Sequence, residues 1–431
     1  MTELNPQHQP TAFLRALMDA AVKAADPAHC VPNALAKDAP AGRILVLGAG
    51  KASASMAKAL EDHAATHWPA ADLSGIVVTR YGCEVPCDTI EIIGAAHPVP
   101  DAPGLAAAQR IMALATSATA DDLVIYLISG GGSSLLTLPT PPLSLADKQA
   151  VNTALLRSGA TISEMNCLRK HLSAIKGGRL AAAAAPARQL TLAISDVPGD
   201  DLAVIASGPT VPDPTTFEDA RSIVRKYKLA LPETVQALLL AGENESPKPG
   251  DPAFDRAEFT LIAKPQTSLE AAAEVARQAG CDVKILGDAL EGEARDVGRD
   301  HAQLALQHRN TALARPLVLI SGGETTVTLK GSGRGGRNSE YLLAFAIETA
   351  GAPGIHGIAC DTDGIDGSED NAGAECDPET LARGSTAGVD AADRLADNDA
   401  YGFFDAIGGL VMTGPTLTNV NDFRVALILP Q

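Results

Sequence analysis

Three glycine-rich segments follow strand-like apolar runs, and their residue types suit the handling of anionic oxygen. Gly48-Ala49-Gly50-Lys51-Ala52-Ser53 lies between the run RILVLG and a helical pattern. Glycines there let backbone N–H groups approach an anion, and a helix start adds positive potential. Two well-known phosphate motifs nearly fit, and both fail. A Walker A loop needs Gly where Leu45 stands, and a dinucleotide fingerprint needs Gly or Ala where Ser53 stands. A plain strand-to-helix turn would use the same glycines, but Lys51 in such a turn suits a phosphate or carboxylate. Ser129-Gly130-Gly131-Gly132-Ser133-Ser134 is the second segment. Three successive glycines between hydroxyls exceed what a turn needs and offer a cradle of N–H groups. Ser321-Gly322-Gly323-Glu324-Thr325-Thr326 repeats the device farther along. Neither is a G-x-S-x-G nucleophile elbow, which argues against a serine hydrolase.

Charged residues gather in four places. Asn166-Cys167-Leu168-Arg169-Lys170-His171 and Lys176-Gly177-Gly178-Arg179 bring five potential cations within fourteen residues. A solvated helix face would look alike by count; the glycine pair, read as making room for a ligand, favours a binding site. His171 reads as a structural hydrogen-bonding residue rather than a base. Gly331 to Glu340 carries Arg334 and Arg337 among glycines, ahead of a helix expected over 341–350. Arg binds carboxylate and phosphate as a planar fork. Two acidic groups, Ser195 to Asp201 and Asp361 to Gly367, follow strand-like runs. Mg²⁺ is commonly held by one or two carboxylates together with nucleotide phosphates and water. Asp196 and Asp363 are therefore candidates for a metal ligand or for accepting a hydroxyl proton, against the simpler alternative of an Asp-Gly turn. Ile365 rules out a calcium loop in the second group, because a ligand side chain is required there.

The rest of the chain must position these groups. Its 431 residues suffice for two or three domains, and 46% hydrophobic with 20% charged residues is a globular composition. A net charge of −18 disfavours nucleic acid and anionic membranes as partners, and obliges any nucleotide site to supply its own positive charge. The seven cysteines are scattered, and Cys83 and Cys87 lack a zinc or redox spacing, which suits reduced thiols in the cytoplasm. The N-terminal residues lack the basic start and apolar run of a signal peptide, and no apolar stretch reaches the ~20 residues of a membrane span.

Apolar runs at 43–48, 75–80, 89–94, 123–129 and 189–195 alternate with helical patterns, which predicts βαβ units and a doubly wound parallel sheet. Residues 242–257 collect Gly, Pro and charge and read as a linker. Runs at 259–263, 283–286, 316–321, 355–360 and 424–430 then restart the α/β pattern. The expectation is two α/β domains, 1–245 and a smaller 246–431, with a ligand site in the cleft between them.

Taken together, LGAGKAS, HPVPD, SGGGSS, NCLRKHLSAIKGGRLA, SDVPGDDLAVIASGPT, SGGETTV, GRGGRNSE and DTDGIDG resemble the class II glycerate 2-kinases, the MOFRL-type family often labelled hydroxypyruvate reductase. The resemblance runs in order from about residue 10 to the C-terminus. It implies a Rossmann-like N-terminal domain, a second α/β domain, ATP and D-glycerate as substrates, 2-phosphoglycerate as product, and a divalent cation, usually Mg²⁺. The family's key Lys falls on Lys51, its key Arg on Arg337, and its Ser-Asp-Val motif on Ser195-Asp196-Val197. Ser339 and Cys360 depart from the family's usual Gln and Gly. The combined expectation gives the ATP phosphates to Gly48, Gly50, Ser129, Gly130, Gly131, Gly132, Ser133, Ser134, Lys176, Gly322, Gly323, Glu324 and Asn338. Glycerate falls to Lys51, Asn166, Arg169, Arg337 and Asp363. Catalysis falls to Lys51, Arg337 and Asp196, and the metal to Asp196 or Asp363. An NAD(P)-dependent hydroxypyruvate reductase is the alternative, and Ser53 speaks against it. Small-molecule substrates and a monomer or homodimer complete the expectation.

Overall fold

In a computed structural model describing residues 5–431, the apolar runs form the buried strands of two six-stranded sheets. Each sheet centres one compact unit. One unit is Pro27–Ile262; the other joins the residues up to Asp26 with Ala263–Gln431.

The first sheet contains β1 (Arg43–Ala49), β2 (Asp72–Arg80), β3 (Ile90–Ala95), β4 (Leu123–Ile128), β5 (Arg188–Ile194) and β6 (Ala257–Ala263), in the order β3-β2-β1-β4-β5-β6. Strands β1 to β5 are parallel. β4 is buried at every position, as its unbroken apolar run predicts for a strand covered on both faces. Leu45, Leu47, Val78, Val124 and Tyr126 pack with Ala107, Ala108, Ile111 and Ala115 of the helix Ala102–Thr116. Strand order reverses between β1 and β4, and doubly wound sheets bind ligands at the C-terminal edge beside such a reversal.

A separate helical layer gathers around Leu155, Leu168, Leu172, Phe217, Val235 and Leu239. Three of its helices, Leu145–Leu156, Ile162–His171 and Phe217–Tyr227, begin with reciprocal caps: Ser144 with Asp147, Thr161 with Glu164, Thr216 with Asp219. Each pair satisfies N–H groups that would otherwise be orphaned at the helix start.

The second sheet orders β7 (Asp282–Glu293), β8 (Leu317–Thr326), β9 (Ile355–Asp361), β10 (Gly373–Cys376), β11 (Leu410–Val411) and β12 (Asp422–Ile428) as β11-β10-β9-β12-β8-β7. β12 runs antiparallel between β8 and β9, so this sheet is mixed. The segment Ser321 to Thr326, expected as an anion-binding loop, is the end of β8. Gly322 and Gly323 pair with Phe423 and Asp422, and a Cβ on Gly323 would sit 2.2 Å from the Leu290 backbone nitrogen. These glycines admit a neighbouring strand rather than a ligand.

The helix Pro10–Ala24 belongs to this second unit. Phe13, Leu14, Leu17, Met18 and Ala21 pack with Leu269, Ala272, Val318, Ile320 and Phe423. Arg15 forks onto Glu375 at 2.7 and 2.8 Å, and Thr418 Oγ1 donates to the Ala25 carbonyl at 2.7 Å. The sequence expectation divides the chain between 245 and 246; the compact units divide it after 262 and carry the first helix with the second. Among the described residues, no helix is long and apolar enough to cross a membrane.

Candidate active site

The turns after β1 and β4 lie side by side at the strand-order reversal, and they lock onto each other. Lys51 N donates to the Gly130 carbonyl at 2.8 Å, Ala52 N to Ser129 Oγ at 3.0 Å, and Ser53 Oγ to the Leu127 carbonyl at 2.9 Å. Ser129 is thus a buried structural hydroxyl, not an open ligand contact. Gly48 sits within β1, where a Cβ would come 2.4 Å from the Leu127 carbonyl oxygen. Gly50, at φ +149°, would place a Cβ 2.1 Å from Ser129 Oγ. Both are glycines because backbone and hydroxyl press against them, which corrects their expected place as open phosphate contacts.

Beyond this knot, a cavity of about 240 Å³ opens beside Gly131. Gly131, Ser133 and Ser134 line it with Lys148, Asn152, Arg169 and Lys176, and His97, Pro98, Val151 and Leu172 complete its walls. A Cβ on Gly131 would lie 3.1 Å from His97 and 3.3 Å from Lys51 Cγ, so Lys51 borders the same wall. Asn166 sits behind it: Ser133 Oγ is 2.7 Å from Ser207 Oγ, which donates to Asn166 Oδ1 at 3.0 Å. Arg169 donates to Asn152 Oδ1 at 2.7 Å and, more weakly, to Asn166 Oδ1 at 3.4 Å. Lys176 Nζ donates to the Leu136 carbonyl at 2.6 Å. Burial, then the neighbouring Lys148 and Arg169, pushes the Lys176 ammonium well below its ordinary range. Burial likewise lowers Arg169.

Of the five cations in this stretch, Arg169 and Lys176 meet in the cavity and the other three do not. Lys170 pairs with Asp213 at 3.3 Å. His171 is fully buried, held between the Cys167 carbonyl and Glu245 at 2.8 Å each, the structural role its sequence context suggests. Arg179 donates to the Asn244 carbonyl. Gly177 and Gly178 make room for Lys170, Phe254 and the Val211 carbonyl, not for a ligand. The cavity instead recruits Lys148 and Asn152, which sequence reasoning missed. Their one signal was spacing: four residues apart on the helix Leu145–Leu156, they share a face. Asp196, half-buried, follows β5 at the same C-terminal edge as the two turns.

In the second unit a separate polar cluster forms where β8 and β9 end and β12 begins. Arg337, first residue of the helix Arg337–Thr349, donates from Nε to Asp422 at 2.7 Å and from Nη2 to Asp361 at 2.8 Å, with Nη1 3.8 Å from Glu324. Burial opposes its charge, but Asp422, Asp361 and Glu324 hold it well above its ordinary range. Asn338 is buried and donates to Asp422 at 2.7 Å. Asp422 also pairs with the fully buried Arg424, which spans to Thr325 Oγ1 at 3.1 Å. Asp363 is buried in the turn after β9, with Oδ1 accepting from Ile365 N at 2.9 Å. The helix starts at Arg337, not near Tyr341, because Asp366 receives the Asn338 and Ser339 N–H groups at 2.9 and 2.8 Å. Among the described residues no group of three or more His, Cys, Asp or Glu is arranged to hold a metal ion.

Comparison with known proteins adds a lineage to this geometry. A domain of unknown function, DUF4147, matches residues 13–240, and the MOFRL family matches residues 317–422. A protein of Agrobacterium vitis named putative hydroxypyruvate reductase is 57% identical, covering 96% of this chain and 94% of its own. D-glycerate 2-kinase of Thermotoga maritima is 40% identical, covering 90% of this chain and 91% of its own. The crystal structure of glycerate kinase from Thermotoga maritima superposes with a TM-score of 0.86 at 37% identity, covering 97% of this chain and 99% of that one.

Proposed function

The chain belongs to the glycerate kinase family, and from that premise we propose that it transfers the γ-phosphoryl group of ATP to the 2-hydroxyl of D-glycerate, giving 2-phospho-D-glycerate and ADP. One observation carries the reading: a chain of net charge −18 concentrates Lys148, Arg169 and Lys176 in one cavity beside a glycine turn. Such a local reversal of sign is what an anionic substrate requires.

Phosphoryl transfer asks mainly for alignment and charge stabilisation. In this reading the Rossmann-like first unit presents Gly131, Ser133 and Ser134 to anionic oxygens, with Gly130 and Gly132 buried behind them. Lys51 stabilises charge on the transferring group, and Arg169 with Asn166 orients the glycerate carboxylate. Arg337 fixes the Asp361–Asp422 pair and has Nη1 toward Glu324. Asp196 accepts the 2-hydroxyl proton or ligates the metal, with Asp363 the alternate. Their hard carboxylate oxygens fit Mg²⁺, which takes few protein ligands when nucleotide phosphates supply the rest. When bound, the ion would spread the charge on those phosphates. A cytoplasmic setting fits the unbridged Cys87, Cys167, Cys281, Cys360 and Cys376.

Phosphorus NMR of protein, ATP, Mg²⁺ and D-glycerate tests the reaction and its position. A 2-phosphoglycerate signal appearing first is expected. A 3-phosphoglycerate signal appearing first would reassign the hydroxyl, and NADH oxidation with hydroxypyruvate in place of ADP release would restore the reductase alternative.

A further inference from the structure

The cavity gathers more potential positive charge than a hydroxy acid can balance. Lys148, Arg169 and Lys176 line it, and none of its lining residues is acidic among the described residues. The existing partners are neutral: amide oxygens of Asn152 and Asn166 for Arg169, and a backbone carbonyl for Lys176. Lys148 Nζ is buried and has no hydrogen-bond partner. Lysines normally bury the stem and leave the ammonium in water; here the residue is half-buried and the ammonium is the hidden part. An ammonium in that position lacks an anion.

Glycerate brings one negative charge, which Arg169 alone can meet. A phosphoryl group brings about two more and several acceptor oxygens. We infer that Lys148, with Asn152 and Lys176 beside the carboxylate-binding Arg169, forms a subsite for a phosphorylated anion rather than for the free hydroxy acid. The inference rests on the kinase reading only for the source of the phosphate, which is either the phosphorylated product or the nucleotide's phosphate tail. The groups facing Lys148 agree with it. Arg169 comes from the helix Ile162–His171, Lys176 from the segment after it, and His97 from the segment after β3. Burial and Arg169 together push Lys148 down to about 7, a depression that a bound phosphate would relieve.

Titration calorimetry on the full chain separates the possibilities, using pyrophosphate, 2-phosphoglycerate, a non-hydrolysable ATP analogue and D-glycerate. Lys148→Met keeps side-chain length and removes the charge. It should weaken pyrophosphate and at least one phosphorylated ligand by about tenfold or more, the scale of one charged hydrogen bond, and leave glycerate within about twofold. Lys148→Arg should recover part of the loss. A loss confined to 2-phosphoglycerate assigns the subsite to the product, and one confined to the analogue assigns it to the nucleotide. Unchanged pyrophosphate binding, no pyrophosphate binding by the wild type, or an equal loss for glycerate overturns the inference. Glycerate-dependent ADP release by the wild type, measured separately, tests the kinase reading without bearing on this result.

Discussion

Arg337 shows how one side chain can be both scaffold and charge. Its guanidinium spans Asp422 and Asp361 at 2.7 and 2.8 Å, and both carboxylates are nearly inaccessible to solvent. Removing one partner of such a buried group leaves uncompensated charge, at a cost of about 3–5 kcal/mol. Arg337→Ala should therefore lower the melting temperature as well as turnover. Arg337→Lys should stay poor in both, because one ammonium cannot reproduce two fixed prongs; recovery of most stability and turnover by Lys would reduce Arg337 to a point charge. Lys51→Ala is expected to be different. It should lower turnover by about 10²–10³-fold with an unchanged circular dichroism spectrum, and near wild-type turnover would remove Lys51 from the chemistry. Asp196→Asn should regain part of its lost rate at raised Mg²⁺ if the carboxylate ligates the ion, and none if it accepts the proton. Lys148 gives a pH test whose sign is fixed. Burial and the neighbouring Arg169 push its ammonium down to about 7, and an anion raises it, so binding takes up a proton. Relative to Lys148→Met, which shares the ligand's own titration, pyrophosphate affinity in the wild type should then fall as pH rises from 7 toward 9, by up to about tenfold per unit.

At the scale of elements, the two turns after β1 and β4 depend on each other's glycines. Gly50→Ala drives a Cβ to 2.1 Å from Ser129 Oγ in a backbone conformation that side chains rarely adopt. Gly82 also has positive φ, at +83°, but nothing lies within 4 Å of its Cβ position. Gly82→Ala should cost only about 1 kcal/mol of backbone strain, whereas Gly50→Ala should cost clearly more and lose activity; equal losses in urea unfolding would refute the docking argument. The same contrast explains what the sequence made legible. β1 and β4 were readable because unbroken apolar runs of that length have few other fates. Ser321 to Thr326 was not, because glycines that admit a neighbouring strand have the composition of a loop. The cavity was half legible. Arg169, Lys176 and Ser133 belong to conspicuous motifs, but Lys148 reaches them through packing of the helix Leu145–Leu156 against Leu168 and Leu172, a relation that local spacing does not encode. Conversely, Lys170, His171 and Arg179 stood out by count and turned out to be absorbed by Asp213, Glu245 and the Asn244 carbonyl.

For the whole molecule the governing fact is that one compact unit is continuous and the other is not. Pro27–Ile262 contains its own sheet, its helical layer and the complete cavity. Expressed alone it should fold and should retain pyrophosphate binding; failure of either would mean that the remaining unit is needed to build the cavity. Residues 263–431 alone should expose the Leu269, Val318, Ile320 and Phe423 surface that Phe13, Leu14 and Leu17 cover, and should aggregate unless a peptide spanning 5–26 is supplied.

That arrangement also sets an order of events in the cell. The helix Pro10–Ala24 is synthesised long before its partner strands β8 and β12, which begin only at Leu317 and Asp422. At about 5–20 residues per second of synthesis, the nascent chain carries this apolar helix face unpartnered for tens of seconds while the continuous unit folds behind it. Phe13, Leu14, Leu17 and Met18 are the side chains that a nascent-chain chaperone would shield in that interval. Crosslinking of stalled nascent chains should therefore find residues 10–24 protected by a chaperone at a length of about 300 residues and released at full length. Release already at the shorter length would mean that the helix had found another partner.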